Sequence, residues 1–251
     1  MLALIDADSL LYKVGFAIEE KTYWNEFDVE AGLEDSPDTT HDTDLEQCFK
    51  TFDQMIDNIM FATECDDLLL VFSGKDNFRL SLPTSYKENR VGLRKPTGYE
   101  ETLRYAQAGY NTHTPSGIEA DDYVVWYKTN SDEDIVLCAY DKDVLYQTVG
   151  THYNYGKDEW VTVDEWEATW FAYYQTLAGD QSDGYKGCKG IGDKRARAAL
   201  ADCSNEKELW QVVVDLYEAK GHEPEEALWT MRLANMHQFD GEKINLWNPP
   251  E

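Results

Sequence analysis

Three short apolar runs constrain the fold of this chain more than any other feature of its sequence. Residues 2–5, 68–72 and 135–139 are apolar throughout, which is typical of strands buried on both faces of a parallel sheet. Helical periods lie between them, over residues 45–62 and 118–127. Strands that alternate with helices predict an α/β fold with a mainly parallel central sheet flanked by helices. Such sheets bind ligands at the carboxyl ends of their strands.

Acidic residues are concentrated at the points where this fold would place a ligand. Some directly follow an apolar run, some begin a helix in the segment SGIEADD, and some lie in the segment GDQSDG after a helix. The candidates are Asp6, Glu119, Asp121, Asp122, Asp141, Asp143, Asp180 and Asp183. Each group alone also fits an ordinary turn, capping box or helix C-cap. Together, carboxylates without His or Cys predict an oxygen-ligand site for two or more Mg²⁺ or Mn²⁺ ions, which suits phosphodiester hydrolysis.

The distribution of charge modifies this prediction. The formal net charge of −27 argues, on average, against a polyanionic partner. Residues 19–46 contain eleven acidic residues and one basic residue, and predict a solvated insertion. However, ten of the 22 basic residues fall within residues 86–104 and 185–197, and glycines accompany the second segment. Glycines ahead of a helix let backbone amides approach a phosphate. We therefore expect two local anion contacts on an acidic body.

Six motifs in order carry a resemblance to a known family. They read LIDADSL, VFSGKDNFR, SYKENR, SGIEADD, AYDKD and GDQSDGYKGCKGIGDKRA. They resemble the structure-specific 5′-nucleases, which include flap endonucleases and the 5′-nuclease domain of bacterial DNA polymerase I. The chain is most similar to the short stand-alone 5′→3′ exonucleases of bacteriophages, over residues 1–200 and again over 230–249. The resemblance implies a PIN-like nuclease core in residues 1–178 with a helical arch near 79–104. It also implies a small helical, helix–three-turn–helix DNA-binding region in residues 179–251.

The resemblance also implies roles for individual residues. The first metal would be served by Asp6, Glu119, Asp121 and Asp122, the second by Asp180 and Asp183, and Asp141 and Asp143 would lie between them. The catalytic basic residues would be Lys87 and Arg90 on the arch, with Arg79 nearby. The DNA backbone would be held, around a K⁺ ion, by Lys186, Lys189, Gly190, Gly192, Lys194 and Arg195. The family usually has a further metal-binding aspartate after the second strand. This chain has Ser73 there, with Asp76 close by.

We therefore expect a metal-dependent 5′→3′ exonuclease that acts on DNA, and on 5′ flaps or RNA in hybrids, in phage replication, recombination or degradation of host DNA. Its partner would be duplex DNA with a 5′ end, nick or flap. The scattered cysteines indicate a reducing cytoplasm, which is that of the host cell if a phage encodes the protein, and no apolar run is long enough for a membrane span. We also expect a monomer. Two alternatives stay open at this point. One is a DNA-binding relative that is weak or inactive because the carboxylate is missing, and the other is a related ribonuclease.

Overall fold

A six-stranded sheet lies at the centre of the N-terminal part of the chain. The computed structural model describes residues 1–23 and 39–251, so residues 24–38 of the predicted insertion lie outside the described part. The strands, in chain order, are β1 (Leu2–Asp6), β2 (Glu20–Tyr23), β3 (Thr39–Asp42), β4 (Asp67–Val71), β5 (Thr112–His113), β6 (Ile135–Ala139), β7 (Gly150–Asn154), β8 (Glu159–Val163), β9 (Gly179–Asp180) and β10 (Tyr185–Lys186). The large sheet has the order β5-β4-β1-β6-β7-β8, and β2–β3 and β9–β10 form separate hairpins.

The register of the sheet confirms the predicted parallel core. Asp6 pairs with Val71 on one side, and Ile5 pairs with Cys138 on the other, both in parallel. Only β8, which pairs with β7, is antiparallel in this sheet. The carboxyl ends of β4, β1 and β6 therefore lie side by side at one edge, as the three apolar runs predict.

Helices cover both faces of the sheet. In the described residues they are α1 (Asp8–Ile18), α2 (Leu45–Thr63), α3 (Tyr99–Gly109), α4 (Ala120–Asn130), α5 (Lys142–Tyr146), α6 (Glu165–Ala178), α7 (Asp193–Leu200), α8 (Glu206–Ala219) and α9 (Pro224–Ala234). Ile5 belongs to a core shared with α1 and α2, whereas Leu4 belongs to a core shared with α4 and α5. This division follows from the alternation of side chains along a strand. None of the helices in the described ranges is long and apolar enough to cross a membrane.

The C-terminal helices form a third core. Leu177, Leu209, Val213 and Met231 pack together in it, and Phe171 of α6 contributes as well. Because α6 belongs to this core, the change from one core to the next falls before the predicted boundary at residue 178. The helices α6 to α9 are thus held as one packed unit.

The segment expected to form a helical arch has a different structure. Between residues 78 and 98 the chain contains two 3₁₀ turns, Phe78–Ser81 and Glu88–Arg90, and the next α-helix begins at Tyr99. Pro83 and Pro96 interrupt this stretch, and Gly98 has a positive φ of 87°. Proline and left-handed glycine are unfavourable inside an α-helix. The expected arch is therefore a segment over residues 79–98 with only short 3₁₀ turns, and only residues 99–104 are α-helical.

Candidate metal centre

The ends of β1 and β6 bring two acidic side chains together. Asp6 is the last residue of β1 and is buried. Asp141 is the N-cap of α5, and its Oδ1 accepts a hydrogen bond of 2.9 Å from the backbone N–H of Asp143. The side chains of Asp6 and Asp141 interact electrostatically. The sheet register therefore creates the acidic edge that the sequence predicts.

The start of α4 adds two more carboxylates. Glu119 is the N-cap of this helix, and Asp121 lies in its first turn. The carboxylate of Glu119 accepts hydrogen bonds from the ammonium of Lys87 and the hydroxyl of Tyr86. The charge of Asp121 interacts with those of Asp6, Asp141 and Glu119. Asp121 at the helix start therefore lies close to the acidic side chains at the strand ends.

The turn between β9 and β10 closes the cluster from the C-terminal side. Asp180 forms an ion pair of 3.0 Å with Lys142. Asp183 lies 2.8 Å from the guanidinium of Arg90 and 3.7 Å from the ammonium of Lys87. Both aspartates interact electrostatically with Asp141. The structure therefore brings together seven of the eight predicted carboxylates, together with Lys87 and Arg90.

The pKa values of the cluster follow from burial and like charge. Burial, and after it the neighbouring aspartates, raise the pKa values of Asp6 and Asp121 well above the usual range. The pKa of Asp143 is raised well above it for the same reasons, burial first and then Asp141. For Glu119, burial is outweighed by Lys87 and Arg79, which lower its pKa. Because ionisation of these three aspartates is unfavourable, the site needs added positive charge to become fully ionised.

The donor set fits a hard divalent cation. Asp6 Oδ1 and Asp143 Oδ1 are buried oxygens that have no hydrogen-bond partner in the part of the chain that the structure describes. Such oxygens cost free energy unless a donor or cation satisfies them. Within the same residues, no three Asp, Glu, His or Cys side chains are placed closely enough to hold one ion between them. Carboxylate oxygens are the donors that Mg²⁺ takes, and this ion keeps several of its water ligands.

Two predicted site residues have a different role. Arg79 is 1 % exposed, and its guanidinium donates to both carboxylate oxygens of Asp122, at 2.6 and 2.7 Å. It also donates to the backbone carbonyls of Leu233 and Asn235. Asp122 is therefore neutralised by Arg79 instead of facing the metal site, and Arg79 is too deeply buried to contact a phosphate. Both assignments are corrected: the pair is structural.

A carboxylate that the sequence reasoning did not select lies in the cluster. Both oxygens of Asp8 are 3.1 Å from the backbone N–H of Ser73, and its charge interacts with those of Asp6 and Glu119. Its position in LIDADSL, two residues after Asp6, was the available signal. Asp76 is directed elsewhere, because its carboxylate accepts hydrogen bonds from Ser116 and from the backbone of Gly117.

The predicted DNA-contacting residues lie at the end of β10, on the open loop that follows it and in the first turn of α7. The side chains of Lys186, Lys189, Lys194 and Arg195 are exposed. Gly190 has a positive φ of 75°, and its carbonyl accepts a hydrogen bond of 2.8 Å from Arg195. Gly192 is the N-cap of α7, and a Cβ added at either glycine would meet no atom within 4 Å. The loop is therefore accessible to a large ligand.

Known proteins share parts of this sequence. No family model matches the chain. It is 26 % identical over 233 residues to DNA polymerase I of Caldicellulosiruptor bescii, covering 84 % of this chain and 25 % of the polymerase. It is 30 % identical over 142 residues to the exonuclease of Escherichia phage T7, covering 50 % of this chain and 44 % of that protein. The chain thus spans less than half the length of these curated relatives.

The fold of the chain is similar to that of a solved bacteriophage nuclease. That nuclease is the flap endonuclease of bacteriophage T5, solved in a pseudo-enzyme–product complex with DNA and metal ions. It aligns with a TM-score of 0.65 and 14 % sequence identity, over 94 % of this chain and 89 % of the T5 protein. The expected fold class and the expected resemblance are therefore confirmed.

Proposed function

We propose that this protein is a metal-dependent 5′→3′ exonuclease that hydrolyses phosphodiester bonds in DNA and cleaves 5′ flaps. The observation that carries the proposal is the set of carboxylates at the ends of β1 and β6 and at the start of α4, in which Asp6 and Asp143 each have a buried oxygen without a hydrogen-bond partner among the described residues. The relatives support it, because they include an exonuclease, a DNA polymerase I and a flap endonuclease crystallised with DNA and metal ions.

The carboxylates would hold two or more Mg²⁺ or Mn²⁺ ions, which supply an activated water and stabilise charge on phosphorus. The holding residues would be Asp6, Glu119, Asp121, Asp141, Asp143, Asp180 and Asp183. Because Lys87 and Arg90 lie at this cluster on Glu119 and Asp183, they would contact the scissile phosphate. Lys87 would then stabilise the negative charge that develops on the phosphate oxygens.

The open loop before α7 would bind the duplex. Its backbone amides at Gly190 and Gly192 and the exposed Lys194 and Arg195 suit phosphate oxygens, as do Lys186 and Lys189. The carbonyls of the same loop would accept a K⁺ ion. The loop lies on the same unit as Asp180, which belongs to the acidic cluster, so duplex binding and cleavage would be geometrically linked.

The natural substrate would be DNA with a 5′ end, a nick or a 5′ flap, and RNA in hybrids with DNA. A monomer would suffice for this reaction, since the carboxylates and the loop come from one chain. Phage replication, recombination or degradation of host DNA in the host cytoplasm would supply such substrates.

The proposal is tested by incubating 5′-labelled duplex, nicked and flap DNA, and a 5′-labelled RNA, with the protein in Mg²⁺, Mn²⁺ or EDTA. We expect short 5′ products with either metal and none in EDTA. Binding of the same DNA without cleavage in either metal would instead support a non-catalytic relative. Cleavage of RNA alone, with DNA left intact, would support a ribonuclease.

A further inference from the structure

Asp8 lies where three elements of the core meet. It is the first residue of α1, directly after the end of β1. Both of its oxygens accept from the backbone N–H of Ser73, which follows β4. The hydroxyl oxygen of Ser73 in turn accepts a hydrogen bond of 2.9 Å from the backbone N–H of Ala120, the first residue of α4. Asp8 therefore stands between the strand ends and the helix that carries Glu119.

The end of β4 differs from the ends of its two neighbours. β1 ends in Asp6, and β6 is followed by Asp141, whereas β4 leads to the uncharged Ser73. The carboxylate of Asp8 occupies the space next to Ser73. Among the strand ends at this edge, Asp8 thus supplies the negative charge that the β4 end lacks.

Lys87 offsets only part of the negative charge around Asp8. The charge of Asp8 repels those of Asp6 and Glu119, and Lys87, which acts on both Asp6 and Asp8, is already bonded to Glu119. The 4 % exposed side chain of Asp6 has one oxygen, Oδ1, with no hydrogen-bond partner among the described residues. Like charges packed together at a buried site are unfavourable unless a cation lies among them. The buried Oδ1 of Asp6, which has no hydrogen-bond partner among the described residues, is suited to bind the same cation.

A purely structural role for Asp8 explains less. An acidic residue in the first helical turn is favourable, and the bond to Ser73 ties the start of α1 to the chain that follows β4. Neither effect requires a second carboxylate beside the buried Asp6. The two roles are separable, because asparagine keeps an oxygen that can accept from Ser73 but carries no charge.

We propose that Asp8 is a metal-binding carboxylate, acting directly or through a bound water, at the ion held by Asp6. This inference rests on the proposed function, because it requires a divalent metal site at the acidic edge. A titration of the whole protein with Mn²⁺, without DNA, tests it independently of activity. Binding is measured as the decrease of the EPR signal of free Mn²⁺. Asp8→Asn should raise the dissociation constant for Mn²⁺ by about tenfold or more, in the range seen when residues around a metal are altered.

Two further variants make the comparison specific. Asp76→Asn is the matched control, since Asp76 follows β4, as Ser73 does, but is bonded to Ser116 and Gly117. The affinity of this variant for Mn²⁺ should be unchanged. Asp141→Asn tests the site itself. Unchanged affinity in Asp8→Asn together with weakened affinity in Asp141→Asn would overturn the role of Asp8 and leave the proposed function intact. Unchanged affinity in both would remove the metal site, and the proposed function with it.

A rescue experiment covers the case in which Asp8→Asn is destabilised. Ser73→Asp returns a carboxylate to the end of β4 and keeps an oxygen that can accept from Ala120. In the Asp8→Asn background it should restore Mn²⁺ affinity towards that of the unmodified protein. Affinity that stays low in the double variant would show that the loss does not come from the missing charge, and would overturn the ligand role.

Discussion

The guanidinium of Arg79 donates two hydrogen bonds, of 2.6 and 2.7 Å, to the carboxylate of Asp122, and both side chains are buried. Asp122 also accepts from the backbone N–H of Glu119, which closes the capping box at the start of α4. Because Arg79 is bonded to the carbonyls of Leu233 and Asn235 as well, it joins the chain at the end of α9 to the helix start that carries the metal-site carboxylates.

Arg79→Met should therefore destabilise the protein by about 3–5 kcal/mol, because it leaves Asp122 as a buried charge without a partner. Urea unfolding measures this free energy. Arg104→Met is the control, since Arg104 is exposed and forms a surface ion pair of 3.5 Å with the partly exposed Glu101. This substitution should lower the free energy of unfolding by less than about 1 kcal/mol. Equal, small losses in both variants would show that the buried pair does not hold α4 in place.

Asp141→Asn should abolish cleavage and leave the fold and DNA binding in place. Asparagine retains an oxygen that can accept from the backbone of Asp143 and so preserves the N-cap of α5. The substitution removes the negative charge that lies between Asp6 and the pair Asp180 and Asp183. Single-turnover cleavage and a DNA-binding titration in Ca²⁺ separate the two effects. Near-normal turnover in Mg²⁺ would contradict the proposed position of the metals.

Lys87→Ala should lower the single-turnover rate more than the affinity for DNA. Its ammonium lies on Glu119 and near Asp183 at the centre of the cluster, where a cation acts on developing charge. Lys95→Ala is the matched control in the same segment, because Lys95 is exposed and pairs with Glu100. A loss of affinity with an unchanged cleavage rate would make Lys87 a binding residue only.

The acidic edge could be predicted from the sequence because each strand and the aspartate at its end are neighbours along the chain. An apolar run followed by an aspartate identifies both a strand and the position of the side chain at its end, and β1 and β6 with Asp6 and Asp141 follow from this alone. The roles of Asp122 and Asp8 could not be predicted in this way. They depend on Arg79 and Ser73, which are distant in the sequence and meet them only in the folded chain.

The same limit applies to the secondary structure. The hairpin of β7 and β8 was not predicted, since Gly150–Asn154 contains His152 and Asn154 and has no apolar run. The expected arch came from the resemblance alone, whereas the prolines and glycines of residues 79–98 favour an irregular segment. Family resemblance thus identified the fold correctly and the local conformation of this segment incorrectly.

Replacing Lys194 and Arg195 by alanine should weaken binding to duplex DNA and reduce its dependence on salt. Both side chains are exposed at the start of α7, and Arg195 also stabilises the loop through the carbonyl of Gly190. The slope of log affinity against log salt should fall by about one for each phosphate contact that is lost. Lys207→Ala, an exposed change at the start of α8, should leave the slope unchanged. A changed affinity with an unchanged slope would argue against phosphate contacts here.

The stabilisation of the protein by Mg²⁺ should increase with pH. Burial and like charge raise the pKa values of Asp6, Asp121 and Asp143, so the ion-free folded state binds more protons than the unfolded state does. The contribution of these three groups to its stability is therefore greatest below the ordinary carboxylate range and falls as pH rises through the raised pKa values. Asp180 has a lowered pKa because hydrogen bonds from Ser182 and Lys142 outweigh burial, so its effect is lost only at lower pH.

A divalent ion replaces the protons that the raised pKa values retain. The Mg²⁺-induced increase in melting temperature should thus be larger at about pH 8 than at about pH 5, by differential scanning calorimetry. Asp6→Asn should reduce this difference, because one of the raised groups is gone. Asp76→Asn should not, because Asp76 is exposed and its pKa is lowered by Ser116. A Mg²⁺ effect that is the same at both pH values would show that the buried carboxylates are already ionised without the ion, and that another cation, such as Lys87 on Glu119, neutralises them.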